Sequence, residues 1–216
     1  MPYVINRPPA KGAKRLLKRA VVGVLSVAAV GLCAAPAMAD NPSSSTSSCS
    51  TPALSQPFLN WGDVGFYALA PGESADSLDG TGWTLNGNAS IVQTQLQDGT
   101  TGNVLDLPSG SSAVSPPMCV DAAFTMARTM VDNAGGNGWV DFSVSYQDPN
   151  TGLWSAPNQT SSVHVRNGDA WKLSHPLNLE PGANGDWQLV QFTFSAAGPA
   201  SEPQLYNFYV DPYAKG

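Results

Sequence analysis

Histidine occurs only twice in this 216-residue chain, as His164 and His175. A nucleophile, His and acid triad, a His-rich zinc centre or a His-based acid–base pair therefore has few members to draw on. His164 stands between Val163 and Val165, on the polar face of an extended segment, and His175 precedes Pro176, which favours extended or turn backbone. Both read as structural or solvent-facing residues. The patterns GxSxG, HExxH and SxxK are missing. Glutamate is nearly as scarce: Glu73, Glu180 and Glu202 each lie beside Pro or Gly, and most Asp residues occupy turn sequences. The two facing carboxylates of glycoside hydrolysis are available only if the fold brings distant acids together. No residue is assigned a catalytic role.

Basic charge is missing from most of the chain. Six of the ten Lys and Arg residues fall within the first nineteen positions. The other four, Arg128, Arg166, Lys172 and Lys215, stand against all sixteen Asp and Glu, a balance of −12. A surface that acidic repels phosphate backbones and anionic lipid heads, so nucleic acid is not expected as a partner.

A long apolar run is also lacking. The run Ala20 to Leu32 falls short of the ~20 residues of a membrane-spanning helix. It follows the basic cluster and precedes the small-residue site Ala37-Met38-Ala39, the pattern of a cleaved export signal over residues 1–39. Cys33 offers a lipoprotein alternative, but Leu32 occupies the preceding position, where a small residue is wanted. The expected location is secreted, with retention at the cell surface open and no membrane span after processing.

Only Cys49 and Cys119 remain beyond the leader, without CxxC spacing or a nearby His. An even pair in an oxidising compartment is most simply a disulfide, with a metal pair or a reactive thiol as the alternatives. Closing that loop is worth about 4 kcal/mol in the chain-entropy account.

What is present is alternation. Val140, Phe142, Val144 and Tyr146 alternate with Asp141, Ser143, Ser145 and Gln147, and Val190, Phe192 and Phe194 repeat the pattern. This predicts strands buried on one face. About ten such segments occur, including Val64 to Ala70, Ser90 to Gln95, Ala123 to Val131, Val163 to Arg166, Trp171 to Leu173 and Leu205 to Asp211. Asp98-Gly99, Asn133 to Gly138 and Asp148 to Gly152 supply turns between them. The Gly-rich Asn133 to Gly138 lacks the Lys-Ser/Thr of a phosphate loop and reads as a hairpin turn. The organisation expected is a leader over 1–39, a flexible polar linker over 40–50 and one all-β antiparallel two-sheet sandwich over 51–216. The two N-x-S/T sequons, at Asn88 and Asn158, are read as chance.

Two groups could hold ligands. Trp139 falls in register with the polar residues of its strand, while Trp154, Trp171 and Trp187 lie at or near turns. Exposed rings stack on sugars, and Asn137, Asn158, Gln159 and Asn167 could bond hydroxyls; core filling is the competing role. Glu73, Asp76 and Asp79 cluster in one loop and offer oxygens to calcium, without EF-hand spacing; a plain acidic loop is the alternative.

The segments Cys49-Ser50-Thr51-Pro52, Gln56 to Asp63 (QPFLNWGD), Gly82-Trp83-Thr84-Leu85, Ser115 to Val120 (SPPMCV) and Phe208 to Tyr213 (FYVDPY) together carry a likeness. From Cys49 to Tyr213 the chain resembles exported proteins of actinobacterial type, of unknown function. The Gly-Trp segment and the closing strand also resemble the galactose-binding-like jelly roll of many carbohydrate-binding modules. The resemblance implies a jelly-roll sandwich. In such modules an acidic pair in the closing strand can help hold a structural calcium; Tyr206-Asn207 stand there instead, and Asp211, which closes the stretch, joins the calcium candidates. The function expected is a non-catalytic exported binding domain for carbohydrate or cell-envelope glycan, with Trp139 as its first contact. The alternatives are a cell-surface structural or adhesion protein that recognises protein and, behind it, a secreted hydrolase.

Overall fold

The computed structural model describes residue 49 and residues 52–75, 77–120, 126–179 and 188–211. All of them belong to the compact unit Pro42–Gly216. The expected leader, the linker apart from Cys49, and the candidates Asp76 and Trp187 lie outside the described residues. Among those described, no helix is long and apolar enough to cross a membrane.

The strands in chain order are β1 (Leu54–Ser55), β2 (Tyr67–Leu69), β3 (Glu73–Ser74), β4 (Ser77–Leu78), β5 (Thr84–Asn86), β6 (Ser90–Gln95), β7 (Thr101–Asp106) and β8 (Ser112–Val114). They continue with β9 (Met118–Val120), β10 (Met126–Asn133), β11 (Gly138–Tyr146), β12 (Asn158–Val165), β13 (Lys172–Leu173), β14 (Leu177–Asn178), β15 (Gln188–Ala197) and β16 (Pro203–Asp211). One 3-10 turn, Leu59–Trp61, precedes β2.

Two antiparallel sheets face each other. The eight-stranded sheet runs β1-β2-β16-β10-β13, with β14 also on β10 and the β6–β7 hairpin joined to β16 through β7; the six-stranded sheet runs β12-β11-β15-β8-β5, with β9 on β15. The chain passes from one sheet to the other between β5 and β6, β7 and β8, β9 and β10, β10 and β11, β12 and β13, and again on each side of β15. That exchange is the jelly-roll form of the sandwich. A separate hairpin, β3–β4, packs beside β16.

Alternation explains the layers. On β11, Val140, Phe142 and Val144 point inward, and on β15 Val190, Phe192, Phe194 and Ala196 do the same, meeting Leu205, Phe208 and Val210 of β16 in one core. The outer face of the eight-stranded sheet carries a second apolar cluster around Phe58, Tyr67, Met130, Tyr206 and Tyr209.

The longer predicted strands are present, with shifted ends. Val64 to Ala70 narrows to Tyr67–Leu69, while Val163 to Arg166 extends back to Asn158, because the polar residues of β12 pair along β11 rather than bury. The count exceeds the ten expected, since β1, β3, β4, β9 and β14 hold only two or three residues and show no period.

Cys49 and Cys119 form the expected disulfide, with Cα atoms 5.6 Å apart and a sequence separation of 70. It ties residue 49 to β9, whose hydrogen bonds run to β15. Reduction should cost about 2–4 kcal/mol. Urea unfolding with and without reductant measures this, and coincident transitions would show that the link adds nothing.

Candidate functional site

The outer face of the six-stranded sheet is built from what alternation leaves outside. Trp139, Asp141 and Ser143 of β11 face solvent between the outward residues of β12 and β15. Trp139 pairs with His164 on one side and Ala197 on the other; Asp141 pairs with Ser162 and Ser195, and that row continues to Ser112 and Asn86. The face is therefore rich in hydroxyls and amides around one large ring.

Trp139 is 38% exposed. Its Nε1 donates to Asp141 Oδ2 at 3.3 Å, and Gln159 Nε2 donates to Asp141 Oδ1 at 2.7 Å. The ring is thus steered from its edge while a face stays available. The His164 ring lies 6.4 Å away, centre to centre. Gly138 makes the placement possible: a Cβ there would stand 2.1 Å from the Ala197 carbonyl oxygen, so only glycine lets β11 start this close to β15. Beside the ring lies a cleft of about 390 Å³, lined by Asn137, Trp139, His164, Arg166 and Pro199 among others.

The other tryptophans have different surroundings. Trp154 bridges to Gln147 and, with Tyr146 and Leu153, lines a cleft of about 490 Å³ at the Asp148–Gly152 turn. Asp148 holds that turn through Oδ1, which accepts from Asn150 N at 2.8 Å and Thr151 N at 3.3 Å; these backbone donors keep its carboxyl below the ordinary range. Trp171 packs edge-on against Tyr206 at 4.7 Å, and its Nε1 donates to Gln95 O at 2.9 Å. Its ring joins the outer cluster of the eight-stranded sheet instead of the Trp139 face.

Sequence reasoning missed a third cleft, of about 390 Å³, where Trp61, Asp63, Tyr67, Arg128 and Asp211 converge. Arg128 Nε meets Asp63 Oδ2 at 3.0 Å, and the Tyr67 hydroxyl donates to the same oxygen at 2.6 Å. Burial and this acceptor push the phenol well above its ordinary pKa. The signal was QPFLNWGD, which places a Trp and an Asp two residues apart; Arg128 is beyond the reach of any local pattern.

Of the calcium candidates, Glu73 and Asp79 remain within electrostatic reach of each other. Glu73 Oε2 accepts from Phe208 N at 2.9 Å, and the Asn207 N–H also supports the carboxyl. Glu73 keeps partial exposure as a residue, but its Oε1 is closed to solvent and has no donor, as is Asn207 Oδ1, on a residue with φ of 55°. Burial pushes the Glu73 carboxyl up to about 8, against those backbone donors. Asp79 accepts from Thr81 N at 2.8 Å, and Asp211 lines the Trp61 cleft. Among the described residues no three His, Cys, Asp or Glu side chains gather in a metal-holding group. Two buried oxygens without donors, from Glu73 and Asn207, are fewer than the roughly six to eight oxygens that calcium takes.

No family model matches the chain, and no curated protein sequence matches it significantly. Solved structures of low identity are similar over part of the chain. The Clostridium thermocellum xylanase 10B fragment, a family 22 carbohydrate-binding module and a family 10 catalytic module complexed with xylohexaose, is 17% identical. That match covers 60% of this chain and 26% of the longer one, with a TM-score of 0.43. The family 22 xylan-binding domain from Paenibacillus barcinonensis is 15% identical over 62% of this chain and 88% of its own, with a TM-score of 0.41. The family 11 carbohydrate-binding module from Clostridium thermocellum, complexed with a mixed-linked tetrasaccharide, is 10% identical over 62% and 91%, with a TM-score of 0.40.

Proposed function

We propose that this chain is an exported, non-catalytic carbohydrate-binding domain whose site is the outer face of the six-stranded sheet around Trp139. One observation carries the reading: an indole steered at its edge by Asp141, with an open face, set among Gln159, His164 and rows of Ser, Thr and Asn. Sugars present an apolar ring face bordered by hydroxyls, and this surface offers a ring bordered by hydrogen-bonding groups. Cell-envelope glycan is the ligand class that export would bring within reach. The two carboxyls held above their ordinary pKa, Glu73 and Asp106, line none of the three clefts described.

Trp139→Ala is expected to weaken glycan binding about 10- to 100-fold, the loss of an aromatic contact worth about 1.5–3 kcal/mol. The melting temperature should barely move, because the ring is half-exposed. Glycan arrays and pull-down on isolated cell-wall polymers provide the measurement, and binding equal to that of the unsubstituted protein would sink the proposal. If calcium binds, its place is structural, at Glu73 and Asn207 beside β16, on the opposite sheet from Trp139.

A second reading has its own observation. Leu59, Trp61, Val64 and Phe66 are all exposed within eight residues of chain ahead of β2, a surface suited to protein recognition at the cell exterior. Retention on cells that survives Trp139→Ala but is lost in a Trp61→Ala, Phe66→Ala double variant would favour it.

A further inference from the structure

Basic charge is so scarce here that its placement carries information. Among the described residues, Arg128 is closed by Asp63 at 3.0 Å and Lys172 by Asp169 at 2.6 Å. Arg166, exposed just past the end of β12, has no salt-bridge partner among the described residues. It lines the cleft beside Trp139, together with His164 and Asn137.

Asp169 Oδ2 accepts from Arg166 N at 2.9 Å and from Lys172 Nζ at 2.6 Å, and these donors hold its carboxyl below the ordinary range, with the Arg166 charge adding to the effect. Lys172 Nζ also reaches the His164 carbonyl at 3.4 Å, so a second cation stands behind the same strand. The group Arg166, Asp169 and Lys172 therefore leaves one positive charge. Asp141 lies on the far flank of the indole and is not part of the cleft wall. The wall itself is pinned: Asn167 N donates to Asn137 Oδ1 at 3.0 Å, joining the turn after β12 to the turn before β11.

We infer that the Trp139 cleft takes an anionic saccharide, with a sugar ring on the indole and a sugar-borne carboxylate or phosphate on Arg166. This rests on the reading of the Trp139 face as a glycan site and names the class of glycan. Guanidinium groups bind both anions through paired N–H donors. A cation without a salt-bridge partner among the described residues also gives an anion a favourable place to approach an otherwise acidic surface.

The test compares polygalacturonate with its methyl-esterified form, which shares the backbone but not the charge, alongside a phosphomannan, which carries its phosphate on a sugar ring, and a panel of neutral glycans. The purified protein should bind the acid form about tenfold more tightly than the ester, and salt should shrink the contrast. Arg166→Gln should abolish the contrast by bringing the affinity for the acid form down to that for the ester, Arg166→Lys should keep part of it, and Trp139→Ala should lower both affinities. Tighter binding of the phosphomannan than of polygalacturonate assigns the anion as phosphate, and the reverse as carboxylate. Equal binding of acid and ester, a contrast that survives in Arg166→Gln, or binding of neutral glycans alone overturns this inference and leaves the glycan site standing. Binding of no polymer at all overturns the parent reading.

Discussion

In calcium-free buffer the protein is expected to lose about 4 kcal/mol of stability between pH 5 and pH 9, and Glu73→Gln is expected to flatten most of that loss. The carboxyl of Glu73 titrates near 8 in the fold against 4.5 in its ordinary setting. Below the lower value both states hold the proton and the contribution is complete. Between the two values the unfolded chain ionises while the folded one does not, and each pH unit removes about 1.4 kcal/mol. Above the higher value both states are ionised and the contribution is gone. Asp106, raised by burial against its bond from Gln204, works in the same direction. Asp98, Asp148 and Asp169 are lowered by their hydrogen bonds and act on the acid side of this window.

Glutamine is the informative substitute because it preserves the geometry. Its amide oxygen can accept from Phe208 N, as Glu73 Oε2 does. Its amide carries no charge to desolvate at any pH. The variant should therefore be at least as stable as the parent at pH 8. Calcium supplies a separate arm: an ion held by ionised Glu73 and Asn207 would restore stability at high pH in the parent and not in the variant. Denaturant titrations across the pH range, with chelator or with calcium, distinguish the cases. A parent curve flat from pH 6 to 9, or a slope that persists in Glu73→Gln, would refute the assignment of the effect to this carboxyl.

That pair also shows where sequence reading stops. Glu73 was visible as an acid in a loop and Asn207 as a polar residue in the closing strand, but their meeting spans 135 positions between Glu73 and Phe208. No local pattern encodes it. The face of Trp139 was legible, because a two-residue period forces it opposite Val140 and Phe142. Trp171 stands in an equally suggestive turn sequence, yet Gln95 O and Tyr206 reach it through the topology and draw its ring against an apolar cluster. The jelly-roll sandwich followed from period and turns together with a family likeness. The short strands did not, because two residues show no period and pair only where longer neighbours offer an edge.

Phe208→Ala should be the most damaging single truncation in the core, costing about 4–5 kcal/mol, the upper part of the range for buried aromatics. Phe208 is the point at which the sheets are keyed together: its ring centre lies 5.9 Å from Phe142, 5.0 Å from Phe192 and 5.0 Å from Phe194, all on the facing sheet. Its removal leaves three rings facing a void from one side. In a domain of this size the melting temperature should fall by roughly 10–15 °C, whereas Phe208→Leu, which fills much of the space, should cost less than half as much. The backbone N–H that reaches Glu73 is untouched by either change, so the pH dependence described above should survive in Phe208→Ala and the two effects should add. If the truncation instead abolishes the pH slope, the ring and the Glu73 contact depend on one another through the geometry of β16 at Asn207. A melting temperature unchanged in Phe208→Ala would mean that the two sheets are keyed together elsewhere.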